Sequence, residues 1–170
     1  MNEPRVNDIS VFDHPGPQLS EREVDEFLLR DYGLSSTLQP LVSERDQNFL
    51  VNAGGCEYVL KIANAAEDRT FLDLQNRLLA HIAEVDPGLG VPRLVPARDG
   101  RGIAEWNSVA GMHAVRLFDY LPGKLMSEVE RTPEVLTGLG RLMGRISRAT
   151  KGFGHPGTHR EGFLWSLDNV

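Results

Sequence analysis

The stretch SERDQNFLVNAGGCEYVLKIA, residues 43–63, holds two short apolar runs joined by Ala53-Gly54-Gly55. Adjacent glycines tolerate the positive φ of a tight turn, so the runs read as an antiparallel hairpin with strands over 48–53 and 56–63. The second strand carries a cation, Lys61, between Leu60 and Ile62. Strand side chains alternate between faces, which puts Val59, Lys61 and Ala63 on one side and Tyr58, Leu60 and Ile62 on the other. Both sides are largely apolar. An ammonium there needs either an exit to water along its own stem or a nearby anion, because an unpaired buried charge is costly. The pattern alone leaves both readings open: a lysine with a solvated tip, or one that meets a ligand.

Working outward, residues 37–42 form a further β-rich run, and Pro40 within it implies an edge or irregular strand. Upstream, Ser20 with Glu23 makes a capping box, Val24, Phe27 and Leu28 an apolar stripe, and Gly33 a C-terminal cap, which together predict a helix. Residues 1–19, punctuated by Pro4, Pro15, Gly16 and Pro17, read as a flexible arm. Downstream, Phe71, Leu74, Leu78, Leu79 and Ile82 recur at helical spacing and predict one long helix over 66–84, stopped by Asp86-Pro87-Gly88.

Short β-rich runs follow at 93–97 and 102–106, joined by the turn signal Asp99-Gly100, and then a longer one at 113–121, ended by Pro122-Gly123. Thr132 caps and Pro133 opens a helix reaching about residue 150, with Val135, Leu136, Leu139, Leu142, Met143 and Ile146 on its apolar side. Residues 151–162 read as a loop, and 163–167 as an apolar segment open to self-association. The class is α+β: a five-stranded antiparallel sheet with one long helix, an N-terminal helix and a C-terminal linker helix.

Composition narrows the partners. The chain has 170 residues, 24 acidic against 18 basic, and a formal charge of -6. That balance argues against a nucleic-acid backbone or an anionic membrane as partner. The single cysteine, Cys56, cannot form an internal disulfide and reads as a small packed side chain in a reducing, cytoplasmic setting. No signal-peptide core or membrane-spanning apolar run is present in the sequence. The five histidines lack zinc-ligand partners, and neither a nucleophile elbow nor a dinucleotide-binding glycine fingerprint occurs.

The order of these elements resembles the N-terminal lobe of the protein-kinase-like fold, in which a third-strand lysine meets nucleotide phosphates. More closely, Ser43-Glu44-Arg45-Asp46-Gln47-Asn48-Phe49, Val59-Leu60-Lys61-Ile62, Leu74-Gln75-Asn76, Tyr120-Leu121-Pro122-Gly123 and the tail from Arg160 to Val170 are similar to the aminoglycoside phosphotransferase family, its hydroxylysine-kinase-like branch above all. The resemblance implies a nucleotide-binding N-lobe at 20–121 and, at 122–170, a linker and first helical segment of a truncated C-lobe.

It also implies roles. Lys61 would bind nucleotide phosphates, and the strand at 117–121 would lead into the hinge between lobes, where the Asp119 carbonyl and the Leu121 N–H would pair with the purine edge. Phe118 would line the back of the pocket, and Val59 and Phe49 would cover the base or else belong to the sheet core. The loop at 43–48 lacks the kinase glycine pattern, so Ser43 or main-chain N–H groups would contact phosphate. The long helix should offer Lys61 a glutamate but reads Leu72-Asp73-Leu74-Gln75-Asn76-Arg77. Asp73 is the nearest carboxylate; it could instead pair with Arg77 one turn on, and Gln75 or Asn76 would then stand at the acid's place.

The family's catalytic loop and metal-binding aspartate fall downstream of the matched region. The expectation is therefore a lobe that binds ATP or GTP with Mg2+ and is inactive alone. In a longer protein it would transfer the γ-phosphoryl to a hydroxyl of an amino-alcohol or hydroxy-amino acid. A kinase-like binding or regulatory module of an aminotransferase-fused protein, and an aminoglycoside-modifying enzyme, are the alternatives. His155 and His159 read as linker residues.

Overall fold

The computed structural model describes residues 14–109 and 111–158. Helix α1, Glu21–Phe27, starts at the capping box expected of Ser20 and Glu23, continues through a π-helical turn at Leu28–Tyr32, and ends on Gly33 at φ 73°. Strands β1 (Thr37–Leu41), β2 (Gln47–Ala53) and β3 (Cys56–Ile62) follow as a meander. The long helix α2, Arg69–Val85, is capped by Asp68, whose side chain accepts the Thr70 N–H. Strands β4 (Leu94–Val95), β5 (Ala104–Ser108) and β6 (Gly111–Asp119) lead to helix α3, Pro133–Ala149, with Pro133 opening it as the sequence requires.

The sheet has six strands in the order β1-β2-β3-β6-β4, with β5 also on β6. The count differs from the expected five for a simple reason. β4 pairs with Phe118 and Leu117 while β5 pairs with residues 111–115, so both occupy one edge of β6, at its two ends. Six strands thus fill five lanes. β4 keeps only two residues of the 93–97 run. β1 lies at the sheet edge, where Pro40 removes no ladder bond that a central strand would need.

Two layers cover the sheet. On one face Phe49, Val51, Leu60, Ile62, Val115 and Leu117 pack against Val24 and Phe27 of α1 and Leu28 of the π-helical turn. Each fully buried side chain of this kind stabilises by about 1.5–3 kcal/mol relative to exposure. On the other face α2 lies close over small residues, with Leu72 against Ala63 and Ala114. A third cluster joins Ile82 of α2 to Leu89 and Ala149, and Arg145 of α3 grips Asp86 through two contacts of 2.9 and 2.6 Å. Most of α3's apolar side, including Leu136, Leu139, Leu142 and Met143, is exposed.

Several expectations are corrected. Cys56 is exposed, because the hairpin end projects past the layers that cover the sheet. The described part of the N-terminal arm is tied down. Leu19 exchanges two hydrogen bonds with the Gln47 side chain (2.9 and 2.8 Å), and the buried Asn64 amide donates to the carbonyls of His14 and Pro15. Residues 1–13, His159, the apolar segment 163–167 and the end of the tail lie outside the described residues. No helix among the described residues is long and apolar enough to cross a membrane.

Candidate functional site

The face of the sheet not covered by α1 is open beside α2, and there it forms a cavity of about 390 Å³. Val59 and Lys61 on β3, Arg116 and Phe118 on β6, Gln75 and Leu79 on α2, and the strand-end residues Asp119 to Leu121 line it. The register explains why. Lys61 sits opposite Arg116 and Val59 opposite Phe118, so all four project to one side. The Lys61 side chain lines a cleft shared with the long helix and the strand end at residues 119–121.

Phe49 is not part of this site. It is 2 % exposed within the α1-side core and pairs with Leu60, one residue out of phase with Lys61. Leu50, opposite Val59, holds the face that Phe49 was expected to hold. The signal was in the sequence, since a two-residue turn at Gly54-Gly55 fixes the register by counting outward from Ala53 and Cys56. Ser43 is exposed in the β1–β2 loop and does not line the cavity.

Asp73 is not the partner of Lys61 either. Its carboxylate pairs with Arg77 at 2.8 Å, the i, i+4 alternative, and with His155 Nε2 at 3.1 Å. Arg77 above all, then His155, holds the Asp73 carboxyl below its ordinary range. His155 is therefore more than a linker residue, because it ties the segment after α3 back to α2 while its Nδ1 accepts the Gly157 N–H.

The residue that sequence reading missed is Arg116, a second cation in an apolar strand and thus visible by the criterion that picked out Lys61. It is 2 % exposed. Its Nη1 donates to the Leu72 carbonyl, to Gln75 Oε1 at 2.9 Å and to Asn76 Oδ1 at 3.2 Å. Gln75 and Asn76 do occupy the helix position facing the cations, but the cation they hold is a guanidinium. Burial lowers the Arg116 pKa, and the more distant Asp46 and Glu67 oppose that shift.

The hinge expected at residues 119–121 has a distinctive backbone arrangement. The Asp119 N–H donates to the Arg93 carbonyl at 3.0 Å, while the Arg93 N–H turns to the Asp119 carboxylate and not to its main-chain carbonyl. The Tyr120 N–H donates to the Glu57 carbonyl at 3.0 Å, and the Leu121 N–H has no partner among the described residues. A planar ligand edge with one donor and one acceptor could dock there. Apolar walls at Val59, Leu79 and Phe118 suit a flat ring, and the two cations beyond suit an anion. Among the described residues, no group of three or more His, Cys, Asp or Glu side chains could hold a metal ion.

Residues 37–170 match the phosphotransferase enzyme family. The chain belongs to that family. Among curated relatives, hydroxylysine kinase of Xenopus laevis is 30 % identical over 181 residues, covering 95 % of this chain and 47 % of that protein. Hydroxylysine kinase of Danio rerio is 31 % identical over 165 residues, covering 91 % of this chain and 46 % of that protein. The chain thus spans about half the length of the curated relatives it matches.

Solved structures of kinases share the fold. A microcompartment-associated aminopropanol kinase superposes with a TM-score of 0.67 at 22 % identity, over 88 % of this chain and 46 % of that one. Amicoumacin kinase hAmiN, solved with AMP-PNP, Ca2+ and Ami, gives 0.68 at 17 % identity, over 81 % and 42 %. These likenesses bear out the kinase-like fold read from the sequence, and the match over residues 37–170 bears out the family.

Proposed function

We propose that this chain supplies the nucleotide-binding lobe of a small-molecule kinase. The kinase transfers the γ-phosphoryl of ATP or GTP to a hydroxyl of a hydroxylated amine, with hydroxylysine-type amino acids and short amino alcohols as the leading substrate class. The observation that carries the reading is Lys61 lining a cleft whose far end is the 119–121 hinge. A base at the hinge would direct its phosphates toward the lysine, where reduced water strengthens the charge interaction. The described residues fit the nucleotide but supply no cluster for Mg2+. When bound, the metal would neutralise phosphate charge through ligands outside these residues.

The substrate class rests on the relatives named hydroxylysine kinase and on the aminopropanol kinase neighbour. A kinase-like binding module is the second reading, favoured by the amides that face the cations where an acid would stand. A protein carrying this chain and the half its relatives also possess would be assayed for ADP or GDP release with hydroxylysine and 1-amino-2-propanol. Turnover with either is the expected result; nucleotide binding with no turnover on any hydroxylated amine would favour the module. Lys61→Met should weaken ATP binding by about tenfold or more, consistent with the loss of one charge-assisted contact. Unchanged affinity would remove Lys61 from the site.

A further inference from the structure

Lys61 and Arg116 face each other across β3 and β6 and line the same cavity. Like charges opposed on one sheet face repel. Among the described residues no carboxylate lies within ion-pair distance of either. The acceptors on Arg116 Nη1 are all uncharged, and its Nε is buried with no hydrogen-bond partner among the described residues. A guanidinium this buried is costly to leave without a counter-ion. The arrangement looks wasteful until a ligand is considered. A glutamate at position 75 would hold the same Nη1 more strongly but would cancel its charge, whereas Gln75 fixes the group and leaves the charge intact.

Building on the nucleotide reading above, we propose that Arg116 is a second phosphate-binding cation. With Lys61 it makes the back of the cleft a dicationic site for the diphosphate portion of a nucleotide. The guanidinium carbon lies 5.5 Å from the centre of the Phe118 ring, one residue before the hinge, and Arg116 is level with Lys61 across the ladder, so a nucleotide running from the hinge past Phe118 would meet both charges side by side. Affinity in this site is then set by ligand anionic charge more than by the base, and Gln75 and Asn76 are positioning residues that act through Arg116.

The test titrates the chain with inorganic pyrophosphate, ATP and adenosine by ligand-observed NMR, for the wild type, Gln75→Glu and Arg116→Met, with circular dichroism as the folding check. Gln75→Glu puts a carboxylate where an amide oxygen now sits 2.9 Å from Nη1. It should weaken pyrophosphate and ATP by about tenfold and reduce their salt dependence, while adenosine is unaffected. Arg116→Met, if folded, should lose at least as much; if it does not fold, Gln75→Glu decides. Wild-type pyrophosphate and ATP affinity in both folded variants, or in Gln75→Glu alone, overturns the second-cation role and leaves the nucleotide reading standing on Lys61. An equal loss of adenosine overturns it too, since the effect would then be on the cavity as a whole. A wild type that binds neither pyrophosphate nor ATP overturns both readings.

Discussion

Phe49→Ala tests the face assignment most directly, because residue 49 was expected in the nucleotide site and the structure places it in the core. Phe49 is 2 % exposed, sits opposite Leu60 on one side and Pro40 on the other, and belongs to the cluster beneath α1. Deleting its ring leaves a cavity and should cost about 3–5 kcal/mol. Against a typical total of about 5–15 kcal/mol, the variant stays folded at low temperature but is much weakened. At roughly 2–4 °C per kcal/mol for a chain of this size, the melting midpoint should fall by roughly 6–20 °C.

Leu50→Ala, one residue along on the opposite face and only half-buried, should cost about 1 kcal/mol or less. Circular dichroism melts of both variants give the comparison, and ATP titration at a temperature where both are folded gives the second readout. Phe49→Ala should then bind ATP as the wild type does. If Leu50→Ala is the more destabilised of the two, or if folded Phe49→Ala loses ATP affinity, the register argument fails.

Two further outcomes follow from contacts away from the cleft. Because Asp73 is held below its ordinary range by Arg77 and His155, its contribution is complete at neutral pH and disappears as acid titrates it below about pH 4. The pair is partly exposed, so the whole effect should stay under about 1 kcal/mol; the gap in urea midpoint between wild type and Asp73→Asn should close from pH 6 to pH 3, and a constant gap would refute the contact. Asn64→Leu removes the donor to the His14 and Pro15 carbonyls and the acceptor of the Ala66 N–H, so it should cost about 1–3 kcal/mol and speed proteolysis around residue 15; unchanged cleavage there would show that Asn64 does not anchor the arm.

Local rules explain what was legible in the sequence. The capping box, the Gly33 cap, the Gly54-Gly55 turn and the Pro133 start each depend on a few neighbouring residues, and each appears in the structure. Lys61 was legible because one charge in an apolar strand breaks a pattern. Arg116 broke the same pattern but was overlooked, since its partners lie about 40 residues away on α2. Asp73 was misplaced for a similar reason: its neighbour on the helix surface, His155, returns from 82 residues downstream. Helical periodicity also passed over Leu72, whose contact with Ala63 and Ala114 exists only because two alanines let the helix approach the sheet.

The sharing of one edge of β6 by two short strands has a consequence for how the molecule loosens. β6 alone is bonded to β3, β4 and β5, and the same nine residues carry Arg116, Phe118 and the approach to the hinge. The edge strand β1 can fray without disturbing the cleft, whereas any opening of the β6 wall must part that strand from its neighbours. One wall of the candidate cleft and the structural keystone are one segment, so amide protons along it should be among the last to exchange.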